Sequence, residues 1–209
     1  MAIVYDILLV RHGESEANRL GRFAYHSWDP HLTEVGRAQA RQLVAQLQHA
    51  PIKHLATSPL ARARETIQPL ADCLGLVPTV LADLAEVNLG AWDGARLSDL
   101  ERSNNGAFHA WRQDPEANPP PGGESILAVG QRVLGALERY TGSVDPGMTV
   151  AATHADCIKG AFLVVTQASG PSARSLLVPN LGQLHLRYHA NGHRWALVLG
   201  PHYFPPRAE

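Results

Sequence analysis

Apolar residues recur along this chain in two spacings. Residues 3–10 form a short, nearly continuous apolar run broken once by Asp6, as expected of a strand covered on both faces. Arg11-His12-Gly13-Glu14 follows directly, which places His12 at the C-terminal end of that strand. From Thr33 the spacing becomes helical: Val35, Ala38, Ala40, Leu43, Val44 and Leu47 form one stripe and predict a helix to about residue 49. Residues 54–57 predict a second strand. Ser58-Pro59 then opens a second helix, with Ser58 as N-cap and Pro59 as its first residue, ending near residue 74 before Gly75. Residues 79–81 predict a third strand.

Residues 97–111 read as helical, weakened by Asn104-Asn105-Gly106. Asn118-Pro119-Pro120-Pro121-Gly122-Gly123 is a loop. Residues 125–140 predict an amphipathic helix, 148–152 a buried strand ending at Thr153-His154, and 156–167 another helix. Residues 183–189 and 193–199 predict a hairpin around a two-residue Asn191-Gly192 turn. The tail Pro205-Pro206-Arg207-Ala208-Glu209 is expected to be loose. This order predicts an α/β three-layer sandwich: a mostly parallel central sheet, helices on both faces, and one domain over residues 1–209.

Composition narrows the ligand. The 45% apolar and 18% charged content is that of an ordinary globular protein, and the net charge of −1 offers no basic excess for nucleic acid or an anionic membrane. An anionic ligand therefore needs positive charge concentrated in a pocket. Cys73 and Cys157 are too few for a disulfide framework and carry no CxxC spacing; both read as small core residues, and reduced thiols point to the cytoplasm. Residues 1–10 lack the basic start and small-residue cleavage site of a signal peptide.

Four polar groups fall where strand ends converge. Arg11 and His12 end the first strand, Arg62 lies in the first turn of the second helix, and His154 ends the late strand. Ligands of open α/β sheets bind in that crevice. Two arginines suit capture of phosphate oxygens, and a neutral imidazole is a competent nucleophile. Arg11, Arg62 and a protonated His154 would keep His12 neutral. Glu86 follows the third strand and is the candidate general acid. With that acid protonated and His12 neutral, activity is expected to be bell-shaped in pH, with a mildly acidic to neutral optimum.

Leu9-Val10-Arg11-His12-Gly13-Glu14-Ser15-Glu16-Ala17-Asn18 resembles the first motif of the histidine phosphatase superfamily, in its phosphoglycerate-mutase-like branch. Residues 32–40, Thr57-Ser58-Pro59-Leu60-Ala61-Arg62, Glu86-Val87-Asn88-Leu89-Gly90, Pro120-Pro121-Gly122-Gly123-Glu124-Ser125 and Thr153-His154 resemble the later ones, in order. The resemblance implies a phosphohistidine on His12. It implies that Arg11, Arg62 and His154 hold the phosphoryl group, that Asn18 adds a hydrogen bond, and that Glu86 donates the proton and then helps to activate water. It implies no metal and no cofactor, because cationic side chains replace them. Ala155 is the small residue that the family places after the second histidine; Asp156 beside it is a weak rival to Glu86. Ser15 reads equally as a phosphate ligand or a backbone hydrogen-bonder.

The mutases of this branch carry a Ser-Gly pair for the substrate carboxylate where this chain has Ala24 and Tyr25, and a basic insertion where it offers only Arg96, Arg102 and Arg112. Hydrolysis of small phosphomonoesters is therefore the expected activity, with phosphoglycerate mutase as the alternative and a non-catalytic phospholigand-binding module behind it. The aromatic segment Phe23-Ala24-Tyr25-His26-Ser27-Trp28, with Trp92, Phe108 or Trp111, is expected to wall the leaving group. The expected partner is a small phosphorylated metabolite rather than nucleic acid or membrane, and the C-terminal hairpin offers an edge for a homodimer. His185, His189 and His193 recur at spacing four, but in a hairpin only the first two share a face, so no metal is expected there.

Overall fold

The computed structural model describes residues 3–103 and 106–199; Asn104, Asn105 and the tail from Gly200, including Pro205 to Glu209, lie outside them. Six strands form one sheet: β1 (Val4–Arg11), β2 (Ile52–Thr57), β3 (Thr79–Val80), β4 (Met148–Thr153), β5 (Gln183–His189) and β6 (Arg194–Leu197), in the order β3-β2-β4-β1-β5-β6. β1, β2, β3 and β4 run parallel, and β5 and β6 close the far edge antiparallel. The helices are α1 (Glu16–Leu20), α2 (Glu34–Leu47), α3 (Ala61–Leu74), α4 (Leu97–Arg102), α5 (Gly106–Gln113), α6 (Ile126–Thr141) and α7 (Ala155–Thr166). The expected α/β architecture, with helices on both faces, is the one found.

Alternation along β1 explains the layers. Leu8 and Val10 point to the face where Leu43 and Leu47 of α2 and Ile67 and Leu70 of α3 pack. Ile7 and Leu9 point to the opposite face, onto Val133 and Leu137 of α6 and Ile158 and Ala161 of α7. All four β1 side chains are inaccessible to solvent, which is why the strand reads as a continuous apolar run. Pairing Arg11 with Thr153 brings the C-terminal ends of β1 and β4 side by side, so His12 and His154 emerge together.

Several local expectations change. α3 starts at Ala61 with Leu60 as N-cap and no side-chain cap of its own. The Asp29 carboxylate accepts from Ala61 N–H at 3.0 Å instead, leaving Ser58 for the site. α1 was not expected: Ser15 accepts from Asn18 N–H while Asn18 Oδ1 accepts from Ser15 N–H, a reciprocal cap that contributes about 1 kcal/mol. The predicted 97–111 helix is two, α4 and α5. The hairpin turns through a 3-10 segment, Ala190–Gly192, with His193 left-handed at φ 47°, and β6 ends at Leu197. Cys157 is buried, but Cys73 is exposed on α3 rather than in the core. Gly36 opens α2 against the first motif, where a Cβ would collide with the Glu14 carbonyl oxygen.

Candidate active site

His12, Arg62 and His154 are at most 3% exposed, yet all are polar and meet beyond the ends of the parallel strands. His12 Nδ1 lies 2.6 Å from the Gly13 carbonyl oxygen, an acceptor that only an N–H can meet. The ring proton is therefore on Nδ1, and Nε2 carries the lone pair. Arg62 Nε–H donates to that Nε2 at 3.2 Å. Burial first, then the Arg62 charge, hold the His12 pKa well below the usual imidazole value. The imidazole is neutral at neutral pH, as a nucleophile must be.

His154 corrects one expectation. Burial, Arg62 and His12 also push its pKa well below the ordinary value, so it stands neutral rather than protonated. Its Nε2 meets Ser58 Oγ at 2.8 Å, and Ser58 Oγ accepts from Leu60 N–H. With Ser58 donating to Nε2, the proton of His154 sits on Nδ1. Arg11 Nη1 donates to the Val178 carbonyl at 2.7 Å, and Arg62 Nη2 to that of Ala24 at 3.0 Å. Arg11 Nε, Arg62 Nη1 and His154 Nδ1 remain buried without a hydrogen-bond partner. Buried donors so left cost about 1–3 kcal/mol each, and a phosphoryl group would satisfy them.

Ligand atoms of His12, His154 and Glu86 lie within 4.8 Å of one another, close enough to share one bound group. The two guanidiniums beside them decide its sign: they repel a cation and attract an oxyanion.

Glu86 Oε2 lies 3.8 Å from His154 Nδ1. Burial, then the charge of Asp156, push the Glu86 pKa up to about 7, against the opposing pull of Arg62 and Arg11. A carboxyl so placed is protonated in mildly acidic solution and able to release its proton near neutrality. Asp156 lines the same cavity but is paired with Lys159 at 3.1 Å, so its effect on the acid is electrostatic.

These groups open into a cavity of about 540 Å³. Asn18, Ser15 and Ala155 line it too. Asn18 Oδ1 is occupied by Ser15 and by Asn180 Nδ2, leaving its own N–H groups to donate. Ser15 Oγ caps α1, the backbone role of its two readings. Of the expected aromatic wall, Phe23 and Trp111 line the cavity, whereas Tyr25, Trp28, Trp92 and Phe108 are not among its lining residues. Trp92 and Phe108 are buried behind Trp111, at ring-centroid distances of 5.6 Å from it. Asp93 accepts the backbone N–H groups of Tyr25, His26 and Ser27 at 2.7–2.9 Å and so fixes the main chain of that segment. Leu97, Leu177 and Val178 complete the wall, and Arg112, Lys159 and Arg174 add positive charge.

Three supporting residues escaped sequence reasoning. Asn180 donates to the His12 carbonyl at 2.9 Å, Thr66 Oγ1 accepts from Gly13 N–H at 2.9 Å, and Arg132 grips the Glu86 segment. Pro179-Asn180-Leu181-Gly182 does carry a turn signature, but nothing local ties it to a nucleophile far upstream. Of the three histidines at spacing four, His185 meets Asp6 at 3.0 Å and His193 meets Glu138 at 2.6 Å.

The chain matches the profile of the histidine phosphatase superfamily (branch 1) over residues 7–199. It is 35% identical to the adenosylcobalamin/alpha-ribazole phosphatase of Salmonella typhimurium across 86% of this chain and 83% of that one. It is 34% identical to the 2,3-bisphosphoglycerate-dependent phosphoglycerate mutase of Brucella anthropi across 82% and 79%. Among solved structures, mycobacterial glucosyl-3-phosphoglycerate phosphatase superposes with a TM-score of 0.80 at 26% identity, covering 94% of this chain and 98% of that one. Profile, relatives and fold agree, and the chain belongs to branch 1 of the histidine phosphatase superfamily.

Proposed function

We propose that this protein hydrolyses small phosphomonoesters through a phosphohistidine on His12. The observation that carries the reading is an unprotonated, buried His12 Nε2 ringed by three unpartnered donors, Arg11 Nε, Arg62 Nη1 and His154 Nδ1. In the first step the Nε2 lone pair forms a bond to phosphorus as the ester P–O bond breaks. The departing electron pair stays on the leaving oxygen, which takes the Glu86 proton. In the second step the Glu86 carboxylate takes a proton from water, the water oxygen bonds to phosphorus, and the N–P bond returns its pair to Nε2. Arg11, Arg62, His154 and Asn18 hold the equatorial oxygens throughout, with Ala155 and the Ser15 loop closing the pocket floor.

The substrate class follows from the walls. Phe23, Trp111 and Val178 favour a leaving group with an apolar face, and Arg174, beside the ion-paired Arg112–Glu101 and Lys159–Asp156, favours a metabolite that carries more negative charge. Tyr25 stands outside the lining, and Ala24 turns its carbonyl to Arg62, so neither forms the carboxylate grip that a mutase needs. No helix among the described residues is long and apolar enough to cross a membrane. The free thiols of Cys73 and Cys157 support a cytoplasmic setting, and the exposed edge of β6 would seat a second copy in a homodimer.

The test is phosphate release from a panel of phosphomonoesters with chelator present, for the wild type and His12→Ala. Turnover that survives chelation and vanishes in the variant supports the reading. Isomerisation of phosphoglycerate without phosphate release would assign a mutase. Ligand binding without either reaction would assign a binding module.

A further inference from the structure

Glu86 sits on a segment with no regular structure to satisfy its backbone. Residues 82–84 form a single 3-10 turn, and residues 85–89 belong to neither helix nor sheet. Buried carbonyls in such a segment need partners from elsewhere. Thr153 Oγ1 donates to the Leu84 carbonyl at 2.8 Å, and Cys157 Sγ to that of Ala85 at 3.0 Å. The rest of the work falls to Arg132, on the inner face of α6. Its Nη1 donates to the carbonyls of Asp83 at 2.6 Å and Ala85 at 2.9 Å, and its Nη2 to the Glu86 carbonyl at 3.0 Å. Nε and the second Nη2 proton meet the two oxygens of Glu124 at 2.8 and 3.0 Å. All five N–H donors of the guanidinium are engaged.

Glu124 completes the clamp from the Pro/Gly loop. Its Oε2 accepts from Asn88 N–H at 2.8 Å, and its own N–H donates to the Asn88 carbonyl at 2.9 Å. The loop approaches so closely that a Cβ on Gly123 would collide with the Asn88 carbonyl oxygen. The Glu86 carboxyl, by contrast, takes one hydrogen bond among the described residues, from Val87 N–H at 3.0 Å, with His154 Nδ1 at 3.8 Å. With so little holding the side chain, its aim is inherited from the main chain that Arg132 fixes.

We propose that Arg132, with Glu124 as its counter-ion, is the positioning residue for the proton donor. It fixes the backbone of Asp83–Glu86 so that the carboxyl meets the leaving oxygen, and Glu124 cancels the charge that this grip would bring near the acid. The inference rests on Glu86 as donor. The largest charge effects on Glu86 come from Asp156 on α7, Arg62 on α3 and Arg11 on β1. The neutral imidazoles of His12 and His154 and the Cys157 thiol are its other neighbours. Arg132 is not among the largest charge effects on Glu86 although it touches the Glu86 backbone, while its charge does reach His154 and Cys157 beside the acid.

The experiment compares kcat/KM for p-nitrophenyl phosphate, whose leaving group departs without a proton, and glycerol phosphate, whose alkoxide needs one. The variants are Glu86→Gln, Arg132→Lys and Glu124→Gln, with the inhibition constant of inorganic phosphate reporting the integrity of the phosphoryl site. Glu86→Gln should lose about 100-fold or more on the alkyl ester and far less on the aryl ester. Arg132→Lys, which keeps charge but loses the fork, should show the same asymmetry at about 10- to 30-fold, with phosphate inhibition unchanged. Glu124→Gln leaves the guanidinium uncompensated, which favours the ionised acid, so the alkaline limb of its alkyl-ester profile should move to lower pH. Equal losses on both esters in Arg132→Lys, or an unmoved alkaline limb in Glu124→Gln, would overturn the positioning role. An asymmetry missing from Glu86→Gln itself would instead remove Glu86 as donor, and the inference with it.

Discussion

Replacing Asp156 by Asn isolates what sets the proton affinity of Glu86. The Glu86 pKa stands at about 7, raised chiefly by burial and next by the Asp156 charge, while Arg62 and Arg11 pull it down. Losing one carboxylate several ångströms away is worth about one pKa unit at an effective dielectric near 20, partly screened. Asp156→Asn also frees Lys159 from its 3.1 Å ion pair, which acts in the same direction. The acid should then titrate near pH ~6. At about pH 7.5 the protonated fraction falls from about 0.24 to about 0.03, an eightfold loss, whereas at about pH 5 it is nearly unchanged. The assay is the pH dependence of kcat/KM on an alkyl phosphate such as glycerol phosphate. The sign is fixed: an acid must hold its proton, so its limb is the one on which activity falls as pH rises. An alkaline limb that stays in place, or moves up, would refute both the assignment of Glu86 and the source of its shift.

Glu86→Gln should stabilise the protein, more at pH ~8 than at pH ~5. A carboxyl whose folded pKa is raised loses folding stability as pH climbs from its unfolded value to about 7, by about 1–3 kcal/mol, and a Gln escapes that loss. Thermal melts of both forms at the two pH values check it, and equal differences at both would contradict it. Phe108→Ala empties the centre of the aromatic cluster behind the cavity and should cost about 3–5 kcal/mol in denaturant unfolding. Gly36→Ala would force the first-motif loop away from α2, and kcat/KM should fall on aryl and alkyl esters alike, by about tenfold or more. Tyr25→Phe, outside the cavity lining, should leave the ranking of substrates unchanged on the panel.

The sheet and the inner site were legible because both follow from residues adjacent in sequence to strand ends. β1 and β4 are apolar on both faces, which marks them as central parallel strands, and the rule that ligands sit at their C-terminal ends points to Arg11, His12 and His154 from the sequence alone. Arg62 followed because α3 must begin where β2 ends. What stayed hidden depends on contacts distant in sequence. Ser58 looked like a cap because Ser-Pro usually is one; Asp29, from a separate loop, took that role. Trp92 and Phe108 carried the right chemistry for a wall, but their burial behind Trp111 is a matter of packing. Arg132 looked like any polar residue on an amphipathic helix, since its acceptors are main-chain carbonyls nearly fifty positions upstream, and carbonyls leave no mark on a sequence. Cys73 misled through the average habits of cysteine: its place on α3 is solvent-facing.

The hydrogen bond from Arg62 Nε to His12 Nε2 means that the nitrogen proposed as nucleophile is not bare. Its lone pair is already engaged, and releasing it leaves a buried guanidinium short of one more acceptor. An uncharged electrophile offers Arg62 nothing in return and so meets a blunted imidazole. A phosphoryl group brings the oxygens that draw Arg62 off and thereby uncovers the nitrogen that attacks it. On the proposed mechanism, reactivity in this site is conferred by the correct guest, and the contact that yields to a phosphoryl group keeps the nitrogen covered toward others.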